Sequence, residues 1–383
     1  MLTVLYVQIS SGMAGASHSL LTLAQYIRKY NVRPIIVGQQ DREGLWEECE
    51  KHGITYYPLY LTSWARSDLS LRDILYIPNR LNTFRRLVKI CRDEHVDLVH
   101  TNLHFCLDGA LAAKYLGIPH VFHVRDEFSP LYKRWFGGTK RTVHIMQRLS
   151  DRIITVSESV AQDIEQHGAK ESVRTVLNPV EIPPRPVKHD SNEIRKRFGL
   201  PQSIPLIGLF GVIAERKGQL DLVQALRSLL AIGTRVHAIV VGQGYDAYEA
   251  EVRATVKTHN LEDSITFIRH QADVWPLLRS VDVVAVPSRA EGFGRIVVEG
   301  MAAGKPVVAA SVGGIVEIIE HRVNGLLVPP ASPQDLADAL YELLVDHDLA
   351  QRLAKKGRRD AENAYSPESH ARNILSVYDD ILR

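Results

Sequence analysis

Two carboxylates eight positions apart, Glu291 and Glu299, bracket a glycine-broken turn and an apolar run in SRAEGFGRIVVEGMAAGKPVV (288–308). Gly292 and Gly294 permit positive φ and close approach of a ligand to the backbone. From about Gly294 to Ala303 the composition is helical, and Gly304 with Pro306 stops it. A helix N-terminus presents free N–H groups and partial positive charge, which suits a diphosphate. One such terminus contributes only about 0.3–1 kcal/mol, or ~2 kcal/mol when partly buried, so a dianion needs side-chain cations as well. The glutamates repel phosphate, and their expected partners are therefore neutral donors such as sugar hydroxyls. Hydrogen bonds to charged groups contribute roughly 1.5–3 kcal/mol each. The pair thus predicts a nucleotide sugar, with Glu291 in the turn at one end, Glu299 inside the helix at the other, and the diphosphate between them.

A second stretch supplies cations. LFGVIAERKGQLDLVQAL (209–226) reads as strand, turn and helix, with Arg216 and Lys217 just before the helix. Lys217 can meet phosphates as a point charge. The acidic pair Asp346 and Asp348 in DHD sits at a helix end and reads as capping, so no metal site is expected.

The elements that must hold these residues alternate along the chain. Strand candidates in the first half are 2–9, 97–100, 120–124 and 152–156. In the second half they are 206–211, 236–241, 265–268, 282–287 and 306–310, with helix-period stretches between. Such interleaving predicts an α/β protein with two Rossmann-like, doubly wound parallel sheets. NPVEIPPRPVKHDS (178–191) carries four prolines and reads as a linker. The expected domains are 1–183 on the acceptor side, 184–365 on the donor side, and a helix over 366–383 packing back on the first. Ser366 is its N-cap, Pro367 opens it, and Ile374, Val377, Tyr378, Ile381 and Leu382 share its apolar face. Ligands of open α/β sheets bind outside the strands' carboxyl ends, so a site between the two domains is expected.

At 383 residues, two domains of ordinary size are expected. With 45% apolar and 23% charged residues the chain is globular and not disordered. LTVLYVQI begins at the second residue with no signal-peptide pattern. Cys49, Cys91 and Cys106 are scattered and odd in number, which argues against a disulfide framework. A cytoplasmic location is expected. The net charge of +2 hides an uneven distribution: from Arg80 to Arg148 there are 12 Lys and Arg against 6 Asp and Glu. Within it, 76–92 and 132–141 mix cations with aromatic residues, which predicts peripheral contact with an anionic membrane at its inner surface, with an anionic soluble acceptor as the alternative. Nucleic acid is not expected as a partner. No G-x-G-x-x-G opens either half, GKPV lacks the Ser or Thr of a P-loop, and neither H-E-x-x-H nor paired C-x-x-C occurs.

At these residues the sequence resembles glycosyltransferase family 4, retaining enzymes of the GT-B fold. The resemblance rests on E-x7-E at Glu291 to Glu299, on SVGGIVEIIEHRVNGLLVPP (311–330), GVIAERKG, VVGQG (240–244), GMAGASHSLLTLA (12–24) and VLNPVEI (176–182). It spans essentially the whole chain and is strongest from about 206 to 330. It implies that Glu299 binds the donor ribose and Glu291 the donor sugar. It further implies that backbone N–H groups near Phe293, Gly294 and Arg295 meet sugar and phosphate, with Gly244 on the nucleotide side. Lys217 is implied at the diphosphate, and Gly15 in the N-terminal loop that approaches it. Val212 stands where the family often has arginine, for which Arg216 or Arg295 can substitute, and Ala14 replaces one loop glycine. In GIPHVFHVRDEF (117–128) the acceptor-side histidine position falls by offset on Arg125, followed by Asp126; His123, two residues earlier, shares its face. The choice between His123 and Arg125 stays open. The implied activity is metal-independent transfer of a hexose, UDP-hexose favoured, to a hydroxyl of a glycan or lipid-linked acceptor, with no cofactor. A nucleotide-sugar epimerase or a non-catalytic nucleotide-sugar-binding protein of the same fold is the alternative.

Overall fold

A computed structural model describes residues 1–9, 12, 15–39, 44–61, 63, 77–128, 138–169, 172–183, 191–244 and 247–383. The first part of the chain alternates β1 (Leu2–Gln8), α1 (Gly15–Ile27), β2 (Val32–Gly38), α2 (Leu45–Lys51), β3 (Thr55–Pro58) and α3 (Ile77–Asp93). It continues through β4 (Leu98–Thr101), α4 (Asp108–Leu116), β5 (His120–Val124), α5 (Thr139–Leu149), β6 (Arg152–Thr155), α6 (Glu158–Gln166) and β7 (Val173–Thr175). After α7 (Ser191–Arg197) come β8 (Leu206–Phe210), α8 (Gln219–Ala231), β9 (His237–Val241), α9 (Ala247–Thr258), β10 (Ile265–Ile268) and α10 (Trp275–Ser280). Then follow β11 (Val283–Val286), α11 (Arg295–Ala302), β12 (Val307–Ala310), α12 (Ile315–Ile318), β13 (Leu326–Val328), α13 (Pro333–Val345), α14 (His347–Ala364) and α15 (Pro367–Leu382).

The chain forms two compact units, Met1–Glu181 with Tyr365–Arg383, and Ile182–Ala364. The first holds a seven-stranded sheet in the order β3-β2-β1-β4-β5-β6-β7, the second a six-stranded sheet in the order β10-β9-β8-β11-β12-β13. Among the described residues every strand pair is parallel. Parallel sheets need both faces covered, which is why the inner strands are buried on both sides and mostly apolar rather than alternating. β1 illustrates it: Val4 and Tyr6 face a layer that includes α1, while Leu5 and Val7 face one that includes α3. In the second unit one core lies around β8, β9, α8 and α13, while Val284, Val297, Val298, Met301 and Val307 are buried outside that cluster.

α15 completes the first unit. Ser366 Oγ accepts from Ser369 N at 3.2 Å, and Pro367 opens the helix. Ala371, Ile374, Val377 and Tyr378 are buried against Val4, Tyr6 and α1. Burying the three larger side chains contributes roughly 5 kcal/mol or more. Leu382, expected on that face, is exposed, because the helix ends there with nothing packed over it. The proline-rich segment also departs from the simple linker reading at its start. Asn178 and Val180 are buried in the first unit, and Val180 N donates to Tyr365 O at 3.0 Å. Its stretch 184–190 lies outside the described residues, as do Met13 and Ala14 of the N-terminal loop and 132–137 of the second aromatic–basic segment. Asp346 accepts from Leu349 N at 2.9 Å and caps α14, consistent with the capping role read from DHD.

Candidate active site

In the second unit the winding reverses between β8 and β11. In open parallel sheets ligands gather outside the carboxyl ends at such a point. Two loops leave it there. The one after β8 ends in a 3-10 turn, Glu215–Lys217, and Gly218 at φ 68°. The one after β11 carries Ser288 to Gly294. They are clamped together: Arg289 N donates to Arg216 O at 2.8 Å, and any Cβ at Gly218 would collide with Pro287 O. Arg289 also reaches Asp221 at 3.1 Å on α8. The clamp brings Lys217 to Glu291, both half-buried, and Lys217 Nζ donates to Glu291 Oε2. Ser288 Oγ donates to the same oxygen at 3.3 Å. Burial by itself pushes the Glu291 carboxyl up, but the charges of Lys217 and Arg216 outweigh it and hold the carboxyl below its ordinary range.

Gly294, at φ 97°, is the N-cap of α11, and Arg295 begins the helix. Gly314 N donates to Glu291 O at 3.1 Å, and a Cβ at Gly314 would lie 2.7 Å from Gly292 O, so the turn 291–294 is wedged in place. Phe293 is buried beneath it. One turn into α11, Glu299 is 8% exposed and accepts from Arg295 Nε at 2.6 Å. Beside this, the loop after β9 places Gly244 N on Glu249 Oε2 at 2.7 Å, and a Cβ at Gly244 would crowd Ile213 O. Val212, the position lacking arginine, offers its carbonyl to Gln219 Nε2 at 2.9 Å.

The structure thus assembles Lys217, Glu291, Gly294, Arg295 and Glu299 within one unit, with Arg216 and Gly244 on adjoining loops. It changes one expectation. The carboxylates do not stand alone waiting for neutral donors; each is already bound to a cation. Each nonetheless keeps one oxygen, Glu291 Oε1 and Glu299 Oε2, without a partner among the described residues. Arg295 Nη1 is buried and has no acceptor among them. Free acceptors and an unmatched cationic donor together suit a ligand that carries both hydroxyls and an anion. Ser288 and Arg289 were not singled out in the sequence. Their only signal was position, inside the stretch that already contained Glu291.

The first unit holds the remaining candidates. His123 on β5 is 0% exposed, and Arg125 just beyond it is 5% exposed. Arg125 donates to Asn102 Oδ1 at 2.7 and 3.0 Å and to Asn178 Oδ1. His123 Nδ1 lies 3.3 Å from Arg125 and 3.2 Å from His100 Nε2. His100 Nδ1 is 2.6 Å from the Tyr378 hydroxyl of α15, which donates onward to Tyr6 at 3.3 Å. His370, also on α15, stacks on His123 and bonds Leu177 O at 2.7 Å. Burial first, and then the Arg125 charge, hold His100 and His123 well below the ordinary imidazole range, so both are neutral. His123 Nε2 is buried and unpartnered among the described residues. Asp126, in the turn after β5, is half-buried, and Gly15, at the start of α1, is exposed. The network that joins Asn102, Arg125, His123, His100, Tyr378 and Tyr6 was not legible in the sequence, because its end members Tyr6 and Tyr378 lie 372 positions apart and meet only after folding.

The second half of the chain, residues 190–360, matches the model of the glycosyl transferases group 1, and residues 13–182 match the model of Glycosyltransferase Family 4. A D-inositol 3-phosphate glycosyltransferase of Xylanimonas cellulosilytica is 34% identical over 310 residues, 74% of this chain and 71% of that protein. An uncharacterized glycosyltransferase of Methanocaldococcus jannaschii is 27% identical over 313 residues, covering 81% of this chain and 82% of its own. Among solved structures, Anabaena Alr3699/HepE in complex with UDP-glucose superposes with a TM-score of 0.84 at 25% identity, over 99% of this chain and 100% of that one.

Proposed function

Because this chain belongs to glycosyltransferase family 4, with the group 1 type of second half and a GT-B fold, we propose that it moves a hexose from a UDP-sugar to a hydroxyl of a glycan or lipid-linked acceptor, retaining the anomeric configuration. Membership of a transferase family sets aside the epimerase and the non-catalytic alternatives. The observation that carries the donor reading is the cluster in the second unit: two carboxylates, each with one unengaged oxygen, around a buried Arg295 donor that lacks an acceptor. The UDP-glucose held by the Anabaena protein supports uridine and hexose as the donor's parts.

In this reading the ribose meets Glu299 Oε2, the hexose meets Glu291 Oε1, and the diphosphate meets Arg295, Lys217, Arg216 and the N-terminus of α11. The acceptor oxygen bonds to the anomeric carbon as the bond from that carbon to the diphosphate oxygen breaks. The acceptor proton passes to the departing phosphate on the same face, which preserves the configuration. Charge growing on the leaving group is met by cations already fixed in place, where preorganised donors act most strongly. That arrangement asks for no metal. Asp126 or His123 orients the acceptor hydroxyl, with Arg125 held beside them by Asn102. The acceptor is carried at an anionic membrane surface, a reading supported by the excess of cations over 80–148. Among the described residues no helix is long and apolar enough to cross a membrane.

The test is binding and turnover of Glu299→Ala and Glu291→Ala, assayed in EDTA. Glu299→Ala weakens UDP and UDP-hexose alike by about tenfold, while Glu291→Ala spares UDP and weakens only UDP-hexose by about tenfold. Equal losses for both ligands in both variants would reverse or remove the assignment of the two ends.

A further inference from the structure

α3 carries five cations, Arg80, Arg85, Arg86, Lys89 and Arg92, against a single carboxylate, Asp93. Leu81, Arg85, Lys89 and Arg92 recur at helical spacing and line one wall of a groove of about 570 Å³, with Tyr115 of α4 on the other. Leu81 is 51% exposed and Tyr115 65%. One turn back along α4, Leu111 is 36% exposed, and Lys114 stands beside Tyr115 in solvent. Large apolar groups held out in water at this density usually mark an interaction face. Tyr115 is held outward by an edge contact with Phe84, ring centroids 5.6 Å apart. Lys89 pairs with Asp93 at 2.6 Å, whereas Arg85, Arg92 and Lys114 have no ion-pair partner among the described residues.

We propose that this α3–α4 groove is the face by which the protein sits on an anionic lipid bilayer, with Arg85, Arg92 and Lys114 at the headgroup phosphates and Leu81, Leu111 and Tyr115 pressed into the interface. It rests on the membrane reading given above and names the surface responsible. The pairing of charge with apolar side chains selects the occupant. A soluble polyanion would use the cations and gain nothing from Leu81 or Leu111, whereas a bilayer surface engages both. Amphipathic faces that lie in the interface are built this way, with cations flanking apolar residues, and lose affinity as salt screens the headgroups.

Sedimentation with vesicles of phosphatidylcholine alone and of phosphatidylcholine with phosphatidylglycerol tests it, on the full chain, alongside the thermal shift produced by UDP as a check on the donor site. The wild type pellets with the anionic vesicles at low salt and is released as salt rises. Arg85→Gln with Arg92→Gln weakens that binding roughly twentyfold, as expected for two lost headgroup contacts, and Leu81→Gln weakens it at low salt without changing how steeply salt releases the protein. Both variants keep the UDP shift. If the wild type pellets and the variants pellet equally well, the membrane reading stands and this face is the wrong one. If the wild type stays in the supernatant with anionic vesicles, or is captured only by a soluble polyanion such as dextran sulfate, both readings fall. Equal pelleting with uncharged vesicles would remove the role of the arginines.

Discussion

At Glu291 the consequence of pairing is measurable. Its carboxylate and Lys217 are half-buried and share one hydrogen bond, so removing either alone leaves a poorly solvated charge. Breaking a buried pair from one side costs about 3 kcal/mol, while replacing both partners by neutral groups costs far less. Lys217→Met is therefore expected to destabilise the protein by about that amount in urea unfolding, and Lys217→Met with Glu291→Gln to recover most of it. A double variant no more stable than the single one would show that the pair does not act as a unit. The same contact qualifies what was readable from residue types alone. E-x7-E indicated a ligand-binding pair, and the glycines indicated a backbone turn. That Glu291 would recruit a cation was not legible, because Lys217 lies 74 positions away and meets it only through the β8–β11 crossover, whereas Arg295 and Glu299 are four apart on one helix.

At the scale of elements, the site depends on loops pressed together where side chains cannot fit. Gly218 combines a left-handed backbone with contact against Pro287 O. Gly233 has the same kind of backbone, φ 80°, but open space around its Cα. Gly218→Ala is expected to cost about 1–2 kcal/mol in backbone strain, more once Pro287 is displaced, and to weaken UDP binding because Lys217 moves with the loop. Gly233→Ala carries the strain alone, about 1 kcal/mol, and leaves UDP binding unchanged. Calorimetry of both variants separates the two costs, and an unaffected UDP affinity in Gly218→Ala would mean that the clamp does not position Lys217. The strands that periodicity revealed are mostly those inside the sheets. β3, β7 and β13, which it did not reveal, are edge strands of three or four residues with half-exposed positions. β2 was hidden by Pro34, which reads as a strand breaker. It is tolerated because the β2–β3 ladder begins one residue later, at Ile35 and Thr55.

For the whole molecule, the buried histidines of the first unit set an acid limit. Burial pushes His120 and His370 down to about 3 from the ordinary 6.5, and His100 and His123 lie well below it too. Such a group is neutral in the fold and takes a proton only after unfolding. Its contribution to stability is intact above about pH 6.5 and is lost progressively as the pH falls towards 3. His120 and His370 alone are expected to remove about 2 kcal/mol each between pH 7 and pH 5. Chemical denaturation across that range checks this, with His370→Gln giving a shallower decline; a flat profile would mean that these imidazoles take up protons as readily in the folded protein as in the unfolded chain.

The helix that closes the first unit over Tyr6 and His100 is encoded after the entire second unit. During synthesis the earlier unit therefore waits, with one apolar face of its sheet covered by α1 but not yet by the last helix, while about 180 further residues emerge. Ribosome-bound intermediates should accordingly expose Val4, Tyr6 and the outer side of α1 to chaperones until Tyr378 is released, and the two halves of this protein mature in an order opposite to the one in which they are translated.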